Sequence, residues 1–331
     1  MTSPPDTDPV PQDRRTPGTW VVPAGSTGSA TWPVVIQPAA DDWRHTGLLT
    51  LTLTPGVATQ ELATGDREYL VVPLEGSVDV EITQGSAAAR VLQLVGRPTV
   101  FDGPTDVAYV PPGCTVRLSS PAPARVALPF AVAATRERPA EVQHISRADV
   151  PVELRGAGRA SREVRNFGVP GVLDADSIIA CEVVTPAGNW SSYPPHKHDE
   201  ERPGVETQLE EIYYFEVATE TSPAAGAPSG GAAADPVAYH RVYGTPERPI
   251  DVLTEVRTGD VVLVPHGWHG PSMAPPGYDL YYLNVMAGPG PERAWLICDD
   301  PAHGWVRDTW AGQEVDPRLP TTSPASKRDS S

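Results

Sequence analysis

Apolar residues along this chain gather in short runs rich in β-branched and aromatic side chains, broken repeatedly by Gly and Pro. Strands are predicted at 48–53, 69–72, 78–82, 108–110 and 125–132. A second series is predicted at 178–184, 211–217, 239–243, 260–264 and 280–286. Between the series, after 146–150, residues 155–165 read as a polar connector. Many short strands separated by turns point to sandwiches or barrels, not to a parallel sheet alternating with helices. Residues 1–17 and 315–331 lack hydrophobic periodicity and are expected to be disordered tails. The low-complexity stretch 221–236 (TSPAAGAPSGGAAADP) is expected to be a solvent loop without chemistry.

The two series resemble weak copies of one unit. Arg67-Glu68-Tyr69-Leu70-Val71-Val72 is followed later by Ala108-Tyr109-Val110-Pro111-Pro112-Gly113. Glu210-Glu211-Ile212-Tyr213-Tyr214-Phe215 is followed by Val261-Val262-Leu263-Val264-Pro265-His266-Gly267. In each half an acidic residue opens a strand, and roughly 40–50 residues later an apolar strand ends in Pro-x-Gly. A duplicated β-barrel is the expected architecture, with one barrel over 18–150 and a second over 151–314.

Composition narrows the function. Pro and Gly number 39 and 29 of 331 residues, a density of helix breakers that argues against bundles and coiled coils. No apolar run approaches the ~20 residues of a membrane span, and the first residues carry no secretory apolar core. The formal charge of −17, with no basic cluster, argues against nucleic-acid binding. Cys114, Cys181 and Cys298 are widely spaced and form no CxxC pair, so a reduced, cytoplasmic setting is expected, with each thiol a small buried apolar group.

Chemistry concentrates in the second half. In Pro195-His196-Lys197-His198-Asp199 the alternation of a strand turns His196 and His198 to one face and Lys197 to the other, which offers two nitrogen ligands to a divalent metal. Glu211 shares a face with Tyr213 and Phe215, and His269 follows the Pro265–Gly267 turn. This order of HxH, Glu and His resembles the two metal motifs of cupins, whose three His and one Glu converge inside a jelly-roll barrel. Twelve residues separate His198 from Glu211, more than the cupin pattern usually leaves, so Glu210 stands as a rival to Glu211 and Glu206 as a more distant one. The second motif is also shorter than usual. His240, His266 and His303 are expected at the surface or behind the ligands. The first half has Cys114-Thr115 after its turn and no HxH before Glu68, so its barrel is expected to be metal-free.

The second half also resembles the 5-deoxyglucuronate isomerase family of inositol breakdown. The resemblance rests on Ser191-Ser192-Tyr193-Pro194-Pro195-His196-Lys197-His198-Asp199, Leu209 to Tyr214, His240 to Tyr243, Gly259 to His269, and Gly277 to Pro289. It implies an all-β protein of two tandem cupin domains that converts 5-deoxy-D-glucuronate to 5-dehydro-2-deoxy-D-gluconate. The implied metal ligands are His196, His198, Glu211 and His269. Zinc is the first expectation for the metal, with manganese, iron or nickel as alternatives. Removal of a proton next to a carbonyl develops negative charge on sugar oxygens, which a Lewis acid stabilises.

A carboxylate-bearing substrate calls for a cation. Arg241 is the first candidate if it shares an inward face with Tyr243; the alternative is a solvent-facing strand charge. Tyr282 and Asn284 share a face and are candidates for proton transfer and hydroxyl binding, which would leave Tyr281 facing outward. The base stays open among Glu210, Tyr282 and a metal-bound hydroxide. The expected partners are a small sugar acid and a second copy of the chain, with neither nucleic acid nor membrane. Metal-dependent cupin dioxygenases and a non-catalytic sugar-binding bicupin are the competing readings.

Overall fold

In the strand Glu210–Thr219 both sets of alternating positions are apolar, because both faces of its sheet are covered. Tyr213, Phe215 and Val217 turn into the interior of one barrel, whereas Ile212 and Tyr214 turn toward the other half of the molecule. The same logic holds in the first half: Tyr69 and Val71 face their own barrel core while Leu70 and Val72 join the shared one. The computed structural model describes residues 12–39, 42–59, 61–133, 141–220 and 234–321.

The first half forms a nine-stranded antiparallel system whose main path runs Gln143–Ile145, Val107–Val110, Arg67–Gln84, Ala124–Val132, Thr46–Leu53 and Val35–Ile36. The strands expected at 69–72 and 78–82 are one long strand, Arg67–Gln84, which serves two sheets. Gly76 adopts φ +79 where its register shifts, and an added Cβ would meet the Pro123 carbonyl at 2.8 Å.

The second half contributes a seven-stranded sheet in the order Val21–Val22, Val261–Val264, Glu210–Thr219, Tyr278–Ala287, Ile179–Thr185, Arg162–Gly168 and Val152–Arg155. Facing it is a four-stranded sheet of Trp190–Ser191, Ser272–Met273, Ala238–Tyr243 and Asp251–Val256. A core of residues from both halves, including Leu48, Leu70, Tyr109, Ile212, Tyr281 and Leu283, joins the two barrels.

Three boundaries differ from expectation. Val21 and Val22 pair with Val262 and Val261, so a strand from the first segment, expected within the barrel over 18–150, edges the second barrel's sheet. The connector expected at 155–165 is the end of one strand, a short 3-10 turn at Gly158–Ala160 and the start of the next strand. Two of its charged residues form an interior pair that a solvent connector would not have: Arg165 Nε donates to Glu163 Oε1 at 2.8 Å with both side chains wholly buried. The tails are also held where they are described. Gln37 N donates to Asp13 Oδ2 at 3.0 Å, and Thr321 N donates to Glu163 Oε2 at 2.7 Å. The remaining tail residues, 1–11 and 322–331, and residues 221–233 of the expected loop lie outside the described residues.

Ion pairs across the junction, one of them fully buried, supplement the shared core. Arg97 of the first half is hydrogen-bonded to both oxygens of Glu182, which also accepts from Tyr281 at 2.7 Å. Arg125 forms a two-pronged bond with Glu216, both distances 2.9 Å. Tyr281 thus does face away from its own barrel interior, but into this buried junction rather than into solvent.

Candidate metal centre

His196 lies in the two-residue strand His196–Lys197 and is tied to the second motif by a backbone bridge. His196 N donates to His269 O at 2.9 Å, and His269 N returns to His196 O at 2.8 Å. Alternation sends Lys197 the other way, where its ammonium meets Asp199 at 2.7 Å and Glu206 at 2.8 Å. Asp199 in turn accepts from Gly267 N at 2.9 Å, fastening the HxH segment to the turn before His269. Gly270 completes the approach: its φ is +109, and a Cβ there would lie 2.7 Å from His196 Cε1.

The imidazoles of His196, His198 and His269 are buried, and their candidate ligand atoms lie within 4.8 Å of one another. His269 Nδ1 faces Gly267 O at 2.7 Å and His198 Nδ1 faces Leu209 O at 3.3 Å. A proton on each Nδ1 satisfies those carbonyls and leaves Nε2 as a lone pair turned inward. The two Nε2 atoms are 3.0 Å apart, and Glu211 Oε2 stands 3.0 Å from one and 2.9 Å from the other. Lone pairs and a carboxylate at such separations repel unless positive charge lies among them. Accordingly, Glu211 holds His198 above the ordinary imidazole pKa despite burial, and the two imidazoles hold Glu211 well below the carboxylate range. Burial, reinforced by the other two imidazoles, pushes His196 well down. Three nitrogens and one carboxylate oxygen around a buried centre fit a divalent metal.

Glu210, the rival ligand and candidate base, points away. It precedes Glu211 in the opposite phase of the strand and accepts from the backbone amides of Arg44, His45 and Thr46 in the first half. Glu206 is also elsewhere, accepting from Lys197, Arg202 and the amide of Asp199.

The inward positions of the strand Ala238–Tyr243 are Ala238, His240 and Val242. Arg241 therefore faces out, ion-paired with Asp251, and Tyr243 donates to Asp300 Oδ2 at 2.5 Å; neither lines the metal cavity. His240, expected at the surface or behind the ligands, is fully buried against the Tyr213 ring, with Nδ1 2.8 Å from Ser272 Oγ. His266 is half-buried in the turn, and His303 Nδ1 lies 3.4 Å from the Tyr193 hydroxyl.

Tyr282 turns inward, its hydroxyl 2.6 Å from Ser191 Oγ and 2.9 Å from Ser192 Oγ, and burial pushes its phenol up to about 12. Ser192 holds φ +50, unusual for a residue with a side chain, and lines the cavity above the ligands. That cavity, about 40 Å³, is walled by His196, Glu211, Tyr213 and Asn284, and by a group absent from the sequence reading: Arg155, Arg162, Trp295 and Arg307. The signal for Arg162 was its alternation with Val164, an inward apolar position. A larger cavity of about 460 Å³ lies between the halves near His45, Gln208 and Arg293, and none of the four donors lines it.

Residues 20–306 match the model of the KduI/IolB family. The chain belongs to this family. Among its members, a relative named 5-deoxy-glucuronate isomerase from Geobacillus kaustophilus is 37% identical over 290 residues, covering 87% of this chain and 95% of the relative. One of the same name from Listeria monocytogenes is 36% identical over 275 residues, 82% of this chain and 90% of the relative. The crystal structure of an IolB-like protein from Salmonella typhimurium aligns with TM-score 0.73 at 30% identity, covering 87% and 99% of the two chains. The oxalate decarboxylase of Lactobacillus farciminis aligns with TM-score 0.56 at 11% identity over 87% and 90%, a likeness of fold alone. The fold of this KduI/IolB member is thus the all-β, two-barrel cupin fold expected from its sequence. Among the described residues no helix is long and apolar enough to cross a membrane.

Proposed function

We propose that the chain is a metal-dependent aldose–ketose isomerase that converts 5-deoxy-D-glucuronate to 5-dehydro-2-deoxy-D-gluconate. The observation that carries this reading is the buried set of three imidazoles and one carboxylate in a chain that aligns with nearly the whole length of proteins named for that activity. His196, His198, Glu211 and His269 would hold the cation, and zinc suits their donor types. When bound, such a cation supplies Lewis acidity for the negative charge that develops on the sugar oxygens.

The remaining work falls to the cavity wall. Asn284 Nδ2, buried and without a partner among the described residues, donates to a sugar hydroxyl. Tyr282 stays protonated at neutral pH and reaches the cavity through Ser192 Oγ, so this pair relays the proton lost by the C2 hydroxyl to the C1 oxygen while the C2 hydrogen passes to C1. Trp295, partly exposed at the cavity, screens the site from water.

The test is elemental analysis of the purified protein together with proton NMR of 5-deoxy-D-glucuronate in its presence. About one divalent metal per chain and appearance of the 2-ketone are expected. Metal-loaded protein that leaves the aldehyde unchanged would sink the proposal.

A further inference from the structure

Three guanidinium groups line the metal cavity, and their partners separate them. Arg155 Nε pairs with Glu153 at 2.8 Å, and Arg307 Nη2 with Asp299 at 2.7 Å. Both are partly exposed. Arg162 is different. Only 7% of it is accessible; among the described residues its guanidinium makes one hydrogen bond, from Nη1 to the carbonyl of Ala160 at 3.2 Å, and its Nε is buried without a partner. No acidic side chain forms an ion pair with it there. Burial lowers its pKa only to about 10, so it is a cation at neutral pH.

A buried guanidinium without a counter-ion is costly to maintain in a protein interior. Its position is fixed by the fold: Arg162 opens the strand Arg162–Gly168 in the same phase as Val164, and that phase faces the barrel interior. Gly156 makes room, since a Cβ there would lie 2.9 Å from Arg162 Nη1. Asn284 adds a second unpartnered buried donor to the same cavity. A cavity with a divalent-cation site at one wall and an unneutralised, fork-shaped cation at another suits a ligand carrying oxygens for the first and a carboxylate for the second.

We propose that Arg162 is the residue that binds the substrate's carboxylate and makes the enzyme select an acid over the corresponding neutral sugar. This rests on the isomerase reading for the identity of the acid, but not for the binding itself. Because the cavity measures only about 40 Å³, the ligand enters by displacing the partly exposed Arg155, Trp295 and Arg307 side chains, while Arg162 stays in place beneath them.

The experiment compares wild type, Arg162→Gln, Arg162→Lys and the outward-facing control Arg241→Gln. Each is checked for metal content and melting temperature. Kinetics are measured with 5-deoxy-D-glucuronate and with 5-deoxy-D-glucose, in which the carboxylate is a hydroxymethyl group. Calorimetry measures binding of the acid whose aldehyde has been reduced to an alcohol, a ligand that cannot react. Arg162→Gln is expected to raise KM for the acid and weaken binding of the reduced acid on the order of 10- to 100-fold. It should leave turnover of the neutral sugar and the metal content unchanged. Arg162→Lys, which keeps the charge and loses the fork, should fall between, and Arg241→Gln should match wild type.

Equal losses on the acid and the neutral sugar, or no loss on either, would overturn the proposal. If neither Arg162 variant folds, wild type alone decides: a preference below tenfold for the reduced acid over its neutral counterpart overturns it. Wild type that binds the reduced acid through Arg162 yet does not isomerise the aldehyde would refute the reaction and leave this binding site standing.

Discussion

Glu68 and Glu210 make the same contact in opposite directions across the junction of the two barrels. Glu68 of the first barrel accepts from the amides of Asp176, Ser177 and Ile178, at 2.7, 2.6 and 2.6 Å. Glu210 of the second accepts from those of Arg44, His45 and Thr46, at 3.0, 2.7 and 2.7 Å. Each carboxylate satisfies three consecutive backbone donors at the entry to a strand of the other half, Ile179–Thr185 for Glu68 and Thr46–Leu53 for Glu210. The next residue in each strand is where the copies part. Tyr69 pairs with Val110 as Glu211 pairs with Val264, so an aromatic ring in the first barrel occupies the register position that the Glu211 carboxylate holds in the second.

Replacing either acid by its amide removes the charge that three amides share and turns part of the group into a donor. Glu68→Gln and Glu210→Gln are each expected to lower the unfolding free energy by about 2–4 kcal/mol in urea titrations. Glu210→Gln should retain bound metal and near-normal turnover once folded. A tenfold loss of turnover at unchanged stability would return Glu210 to the chemistry.

The imidazoles and Glu211 act together, so removal of one should release the metal rather than weaken it slightly. His198→Ala and Glu211→Gln are expected to lower metal affinity and activity by at least ~100-fold, while far-ultraviolet circular dichroism remains that of a β protein. Full activity in metal-free His198→Ala would remove the cation from the reaction.

Gly270 is required by a close approach as well as by its backbone angle. Gly270→Ala places a methyl 2.7 Å from both His196 Cε1 and the Ser192 carbonyl. A cost of about 1–3 kcal/mol in stability is expected, with a larger drop in metal affinity because His196 is the side chain that must move. Calorimetric metal titration of a variant with wild-type affinity would contradict the packing described.

His240 should make the fold sensitive to mild acid. Burial lowers its pKa from 6.5 to about 3, so it is neutral when folded and takes up a proton when unfolded. Its contribution is intact above pH ~6.5 and is lost as pH falls toward 3, reaching about 2 kcal/mol by pH 5. His240→Gln should therefore flatten the decline of unfolding free energy between pH 7 and 5 by that amount. Equal slopes for wild type and variant, measured in metal-free buffer, would exclude His240 as the source.

The meeting of the four candidate donors was legible because alternation on strands is unforgiving: His196 and His198 had to share a side, and Glu211 had to share one with Tyr213. Arg241 was misplaced by following its partner Tyr243 instead of the apolar phase, since Ala238 and Val242 already marked the inward face. Arg162 was passed over for a different reason. Its neighbours Glu163 and Arg165 are charged yet buried between the barrels, and a run of charges resembles a solvent loop until the partner barrel is in view. Interior ion pairs thus conceal strands that apolar runs would reveal.

The pairing of Val21 and Val22 with Val262 and Val261 bears on how this polypeptide is made. During synthesis the segment that finishes this sheet emerges some 240 residues before its mate and must wait for it. A fragment begun at the midpoint of the chain would carry all four candidate donors but leave Val261–Val264 with an open flank, inviting strand exchange between molecules. The half that carries the candidate donors is therefore best produced with its distant strand attached.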